Sequence, residues 1–291
     1  MYWAQIVRAL QRDKVALTAA AVLVLFVAMA LLGPGLAPYD PQEILRDEGG
    51  DALVLRFPSW SHPFGTTDLA RDVFSQILTG ARPVLIVGFW AALIPTVFGL
   101  LLGVVAGYRS GATDTIVSRF VEIAYSLPFE PVAIVLISLI SPSRWTLILA
   151  ISLLYWRRPT RVIRNQVLTL RDTAFIKAAR VAGASSRRIM FRHLIPLVLP
   201  LAFVYIPVAF GNAILAEASI SFLGFGDPLS QSWGSILRKA FDGGALDLGW
   251  WWMIAPGLAI TVVTSSMFFL TRPFEEVLNP RLARELPKEK A

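Results

Sequence analysis

Residues 83–108 read Pro-Val-Leu-Ile-Val-Gly-Phe-Trp-Ala-Ala-Leu-Ile-Pro-Thr-Val-Phe-Gly-Leu-Leu-Leu-Gly-Val-Val-Ala-Gly-Tyr, and the nearest charges are Arg82 and Arg109 on either side. At about 1.5 Å of rise per residue, such a run makes a helix of roughly 39 Å. The hydrocarbon core of a bilayer is about 30 Å thick and takes roughly 20 apolar residues to cross. The pattern recurs outward in both directions. No Asp, Glu, Lys or Arg lies between Lys14 and Asp40, between Arg192 and Glu217, or between Asp247 and Arg272. Only 16% of the 291 residues are charged, against about 25% in soluble domains. The runs predict an all-α membrane protein.

Six spans are expected, at about 15–36, 83–107, 116–140, 145–156, 197–222 and 249–271. The third is interrupted by Glu122, Pro128, Glu130 and Pro131. The fourth has only 12 uncharged residues before Arg157-Arg158, and the fifth carries Glu217. Arg8, Arg12 and Lys14 before an apolar stretch have the order of a signal peptide. The stretch is longer than the usual apolar region of such a peptide and no small-residue cleavage site follows it. It is therefore read as a retained first span, ended by Gly33-Pro34.

Orientation follows from the bias of Lys and Arg toward the cytosolic side. With the N-terminus in the cytosol, residues 1–14, 109–119, 157–192 and 272–291 hold 20 Lys and Arg, and the opposite side holds 7. Both termini are then cytosolic. The net charge of +7 is accounted for by these flanks, so nucleic acid is not the expected partner. The external stretch 40–82 ends in an amphipathic pattern, with Leu69, Val73 and Ile77 opposite Asp68, Arg71 and Asp72 and with Thr66 or Thr67 in place to cap its start. The pattern fits a helix lying on the membrane surface or an ordinary packed loop helix. Tryptophans 233 and 250–252 read as interfacial anchors rather than a binding cage.

Chemistry is sparse. The chain has no GxxxxGK[ST] phosphate loop, no cysteine, and two histidines, His62 and His193, without metal-ligand spacing. Neither an enzyme nor a metal site is expected, so the energy for any transport comes from a gradient or a partner. No internal repeat is visible.

The segment 157–192 carries ten Lys and Arg and one acid, Asp172. Within it, residues 173–182 form a short helix with a small-residue surface at Ala178, Ala179 and Ala182. Gly183 permits a sharp exit, 187–194 resumes as a second short helix, and Pro196 opens the fifth span. The product is a helix–turn–helix knob. It can dock into a cleft of another protein or lie against lipid phosphates.

This segment resembles the EAA loop of ATP-binding-cassette importer permeases, EAAxxxG with a proline 13 residues after the glycine. Ala178-Ala179, Gly183 and Pro196 hold that spacing, and Lys177 stands at the glutamate. Further segments resemble the oligopeptide, dipeptide and nickel branch in the same order. The stretch from His62 to Ser75 is similar to HPxGTDxxGRDVxSR, with Ala70 for a glycine, and Ala81-Arg82 to its GAR. Residues 105–108 with Asp114 match AGY…D. Residues 214–224 are close to ILAEAxLSFLG, Ser232-Trp233-Gly234 to PSWG, and Asn279-Pro280-Arg281-Leu282 to a terminal DPRLR. The long external stretch resembles the C-type subunit of the two permeases.

The resemblance implies a type I importer permease fold, with a permease domain at 83–282, an N-terminal region at 1–82 and a tail at 283–291. It implies a bacterial or archaeal plasma (inner) membrane location. The implied partners are a second homologous permease, two ATPase subunits that bind ATP and Mg, an extracytoplasmic solute-binding protein and membrane lipid, with no cofactor in this chain. Lys177, Ala178, Ala179, Ala182, Gly183, Ala184, Ser185 and Pro196 would couple to an ATPase subunit. Glu130, Asn212 and Glu217 are candidates for the translocation path, because a carboxylate at membrane depth usually faces protein or water. For Glu217 a structural hydrogen bond is the alternative, for Glu130 satisfaction of backbone broken by the prolines, and for Asn212 a helix–helix bond. Glu122 reads as a boundary residue. A proton-coupled carrier and a non-transporting scaffold are the competing functions.

Overall fold

The computed structural model describes residues 8–274. Residues 1–7, the 279–282 motif and the 283–291 tail lie outside the described residues.

Helix α1 (Lys14–Leu36) is capped by Asp13, whose side chain accepts from the backbone N–H of Val15 and Ala16. It runs through Gly33-Pro34 instead of ending there. Gly33 serves a crossing: a Cβ at that position would lie 2.6 Å from the Leu78 carbonyl oxygen. Helix α2 (Val73–Tyr108) has 36 residues, about 54 Å of helix. It absorbs most of the amphipathic pattern at 69–77, as a packed helix rather than one lying on the membrane surface. Val73 and Ile77 are buried in its first turns while Leu69 stays exposed outside it. The cap is Asp72, which accepts from the Ser75 N–H at 2.7 Å, and not Thr66 or Thr67. The same carboxylate lies 3.0 Å from His62 Nδ1, so residues 37–72 are tied to the head of α2.

The expected third span is two helices, α3 (Ala112–Ser126) and α4 (Phe129–Ile140), bent by 93°. Pro128 excludes the helical conformation for the residue before it, and Leu127 is extended at ψ 125°. Helix α5 (Arg144–Tyr155) has 12 residues, about 18 Å, too short to cross alone. Trp156 stays helical and hands the chain to α6 (Arg157–Arg171). Among the described residues four helices are long and apolar enough to span, or five with the bent pair; of the six expected spans, the fourth, α5, falls short of that length.

Helix α7 (Ala174–Val181) follows, then α8 (Ser186–Phe225), 40 residues with π-helical turns at Met190–Leu194 and Ser221–Phe225. The second short helix and the fifth span expected from the sequence are thus one rod. The π turn, in which the Ile195 N–H bonds back to the Met190 carbonyl, widens the helix just before Pro196. A proline ring there would otherwise press on the preceding turn. Helices α9 (Trp233–Asp242), α10 (Ala245–Leu248) and α11 (Trp250–Phe269) complete the fold.

Three apolar clusters hold these elements. The first joins α1, the head of α2, α9 and α11. It contains Trp233, Trp251 and Trp252, which are core residues and not interfacial anchors; only Trp250 of the four is exposed. Trp233 donates its indole N–H to the Ile77 carbonyl at 3.1 Å. The second cluster joins the middle of α2 with α4, α5 and α8, and the third joins the tail of α2 with α6, α7 and the head of α8. Helix α2 threads all three. Outward-facing Val24, Leu31 and Leu32 of α1 are more than half exposed, a surface suited to lipid and costly in water.

The packing of α2 on α6 depends on Gly99, Gly103 and Gly107, spaced every four residues along one face. A Cβ at Gly103 would stand 2.8 Å from the Thr160 carbonyl oxygen, and one at Gly107 2.8 Å from that of Arg164. Small residues at this spacing let helix backbones touch in membranes. Arg164 adds a two-pronged bond to Asp114 of α3, with Nη2 to Oδ2 at 2.8 Å. Gly103→Leu is expected to destabilise the chain by about 3 kcal/mol through overpacking, read as a lower thermal midpoint in detergent. Gly257→Leu, where a Cβ meets nothing within 4 Å, should leave the midpoint near wild type.

Candidate functional site

The knob at 173–185 is built from a helix stop. Helix α7 ends with the Gly183 N–H bonded to the Arg180 carbonyl at 3.1 Å and the Ala184 N–H to the Ala179 carbonyl at 3.0 Å. This pair of bonds is the Schellman closure, and it needs a left-handed residue at the position after the cap. Gly183 supplies it at φ +81°. The spacing of Ala179, Gly183 and Ala184 is therefore a geometric requirement of the turn. Ser185 then caps α8, its hydroxyl accepting from the Arg188 N–H at 3.3 Å.

One side of the knob is bolted down. Ile176, Ile189 and Leu194 are fully buried against Ile163 and Val167 of α6 and Leu100 and Val104 of α2. Arg180 lies over the Tyr108 ring at 5.7 Å, and Arg171 donates to the Gly107 carbonyl at 3.2 Å. The opposite side is open. Phe175, Lys177, Ala178, Val181, Ala182, Gly183 and Ser185 are exposed, with Val181 at 90%, and Ala179 and Ala184 are half-buried. Among the described residues nothing lies within 4 Å of a Cβ placed on Gly183. Pro196 sits further along α8, exposed, at the end of the π turn. An apolar, small-residue surface on a rigid base is a docking shape.

A cavity of about 280 Å³ lies where α4 breaks from α3. Its wall holds Glu130 and Phe129 of α4, Tyr155 of α5, Arg157 and Arg158 of α6, and Asn212 of α8. Glu130 and Asn212, 82 positions apart in the chain, thus share one wall. The Tyr155 hydroxyl points at the Asn212 carbonyl at 3.5 Å, and its ring lies 4.9 Å from that of Phe129.

Glu217 is elsewhere. It is 2% exposed, and its Oε1 accepts from the Ser221 hydroxyl at 2.6 Å. It sits beside the joint between α8 and α9, where Gly234 packs on Ala218. Of the three path candidates the structure unites two at one cavity and sets the third apart, buried beside the α8–α9 joint. Glu122 is exposed and paired to Arg119 at 2.8 Å. Tyr155, Arg157 and Arg158 were not singled out from the sequence. The available signal was the pair of arginines directly after an uncharged run, which places charge beside the apolar layer.

The chain is thus a long-helix bundle with an exposed knob and an open, mostly apolar cavity bordered by Glu130, Arg157 and Arg158. Residues 99–284 match the family described as binding-protein-dependent transport system inner membrane component, and residues 1–49 match the N-terminal TM domain of oligopeptide transport permease C. The dipeptide transport system permease protein DppC of Bacillus subtilis is 34% identical over 278 residues, 95% of this chain and 85% of that one. A putative peptide transport system permease protein of Brucella abortus is 34% identical over 268 residues, 91% and 87% of the two chains. Among solved structures, one of inward facing conformations of the MetNI methionine ABC transporter matches the fold. Its TM-score is 0.57 at 19% identity, over 69% of this chain and 96% of that chain.

The chain belongs to the family of binding-protein-dependent transport system inner membrane components. It is a multi-pass inner-membrane permease subunit of an ATP-binding-cassette importer, and its family is not a catalytic one.

Gly183→Ala forces a left-handed alanine, a strain of about 1–2 kcal/mol. Amide exchange at residues 182–184 should speed roughly 5- to 30-fold, with the spans unchanged; Gly183→Asn should be milder.

Proposed function

We propose that this subunit forms half of the pore through which short peptides, handed over by an extracytoplasmic binding protein, enter the cell, and that its knob couples the pore to ATP hydrolysis. A second, related permease supplies the other half. Two ATPase subunits bind ATP and Mg, and this chain binds neither. The termini face the cytosol, as the 20 to 7 split of Lys and Arg favours.

One observation carries the coupling. Helix α8 runs unbroken from Ser186 to Leu223, before Gly224 at φ +94° kinks the chain, about 57 Å of helix. Ser186 at one end leaves the knob, and Asn212 further along lines the cavity. An ATPase subunit that grips Lys177, Ala178, Ala179, Ala182, Gly183, Ala184 and Ser185 moves the base of this rod. Buried Ile176 and Ile189 make the knob and rod one body, so displacement reaches the cavity wall without being lost in a loop. Pro196 lies behind the π turn, where the rod tolerates bending. The result is rigid-body alternation of access about a packed interface, with Glu130 and Asn212 on the path and Glu217 bracing the far end. Peptide as substrate is supported by the names of the two relatives and by a wall bearing both signs of charge.

Reconstitution tests this reading. Peptide uptake into proteoliposomes should require this chain, its partner permease, the ATPase pair, the binding protein and ATP. Uptake by this chain alone on a proton gradient would sink it. Gly183→Trp, which has room within the chain but not in a closed docking groove, should abolish uptake while membrane insertion persists.

Orientation is checked independently, because the chain contains no cysteine. A single cysteine at Ser61 should react with a membrane-impermeant maleimide added to intact spheroplasts. One at Ser185 should react only after the membrane is opened.

A further inference from the structure

The cavity wall carries unlike charges that do not neutralise one another. Glu130 and Arg158 are both exposed on it, and among the described residues neither takes part in an ion pair or a side-chain hydrogen bond. Arg157 beside them is tied differently. Its Nη1 donates to the Leu154 carbonyl at 2.8 Å and its guanidinium covers the Tyr125 ring at 5.1 Å, while its Nε is buried without a partner. The Tyr155 ring stands within electrostatic reach of Arg158, Glu130 and Arg157 together.

Physical chemistry narrows what such a wall accepts. Unpaired charge beside the membrane interior is costly unless it faces water or a counter-charge. A uniformly acidic wall would select a cation and a uniformly basic one an anion. Here one carboxylate and one free guanidinium face the same space of about 280 Å³, just below the roughly 300–1,000 Å³ usual for small-ligand sites. Phe129, Tyr155 and Tyr205 supply apolar surface around them, and Asn212 adds an uncharged polar group. The complementary ligand is small and carries an ammonium and a carboxylate at once.

The geometry points to a transient substrate subsite in this cavity for the free termini of a short zwitterionic peptide, with Glu130 receiving the ammonium and Arg158 the carboxylate. This rests on the peptide-import reading and deepens it: the pore itself, and not only the binding protein, distinguishes free from blocked termini. Arg157 positions the floor of the site through Leu154 and Tyr125. The alternative role for two unlike charges, a gate that closes by pairing, predicts no dependence on the ligand's termini.

The test uses the complete membrane complex, with its partner permease and ATPase subunits, in nanodiscs and without binding protein, so that the latter's selectivity does not enter. Equilibrium binding is measured for alanyl-alanine, N-acetyl-alanyl-alanine and alanyl-alanine amide. Wild type should hold alanyl-alanine roughly tenfold tighter than either blocked form, the scale of a charge-assisted hydrogen bond. E130Q should lose the preference over the N-acetyl form and keep that over the amide. R158Q should do the reverse. The double variant should bind all three equally weakly while still co-purifying with the ATPase subunits, which separates loss of the site from loss of the fold. Equal binding of all three by wild type, no binding at millimolar peptide, or equal weakening of all three in each single variant overturns the subsite. Failure of the peptide-import reading registers separately, as absent ATP-dependent uptake of alanyl-alanine when the binding protein is restored.

Discussion

The close seam between α2 and α6 is the constraint on which the rest of this structure depends. Helix α6 is rich in arginine and buries only the narrow face of Pro159, Thr160, Ile163 and Val167, so its seat on α2 rests on shape and close backbone approach. Gly99, Gly103 and Gly107 let the α6 backbone come within reach at Pro159, Thr160 and Arg164. Once α6 is seated, Ile163 and Val167 are presented to the knob, and Ile176 and Leu194 close over them. Arg164 is held to Asp114, which keeps α3 against the same seam, and the carboxylate raises the guanidinium above its ordinary basicity. Both the knob and the cavity wall that begins at Arg157 are therefore referred to one helix contact.

The knob and the cavity then have different physical characters. The knob is rigid because its turn is closed by backbone bonds and its inner face is fully buried. Its outer face has few atoms that must be moved aside for a partner to approach. The cavity exists because the chain breaks. Pro128 prevents α3 from continuing into α4, the 93° bend swings Glu130 toward α6, and the short α5 places Tyr155 and Arg157 beside it. A straight third span would have left no such space.

Much of this was readable from the residues. The uncharged runs announced the long helices, since charge at membrane depth is costly whatever the fold. Gly183 and its alanines announced the knob, because a Schellman turn is a local rule written in adjacent positions. Other readings failed where a local pattern was overridden by partners distant in the chain. Leu69, Val73 and Ile77 form an amphipathic series, but Val73 and Ile77 meet the α9 and α11 core and belong to the head of α2. Trp233, Trp251 and Trp252 resembled interfacial anchors, yet two of their indole N–H groups find backbone carbonyls, at Ile77 and Thr66, within the packed core. Asp72 reads as one of the polar residues facing away from Leu69, Val73 and Ile77, and instead caps the helix that buries two of them.

Composition and local spacing by themselves determined that this is a helical membrane protein, where its long helices lie and the shape of its knob. These follow from desolvation of charge and from backbone geometry, which neighbouring residues decide. Only the tertiary structure decided that the knob and the fifth span are one rod, that Glu130 and Asn212 share a wall with Arg157 and Arg158, and that Glu217 does not. Those facts depend on how helices far apart in the chain cross, and a crossing is set by the summed shape of two surfaces, which no single stretch of sequence contains.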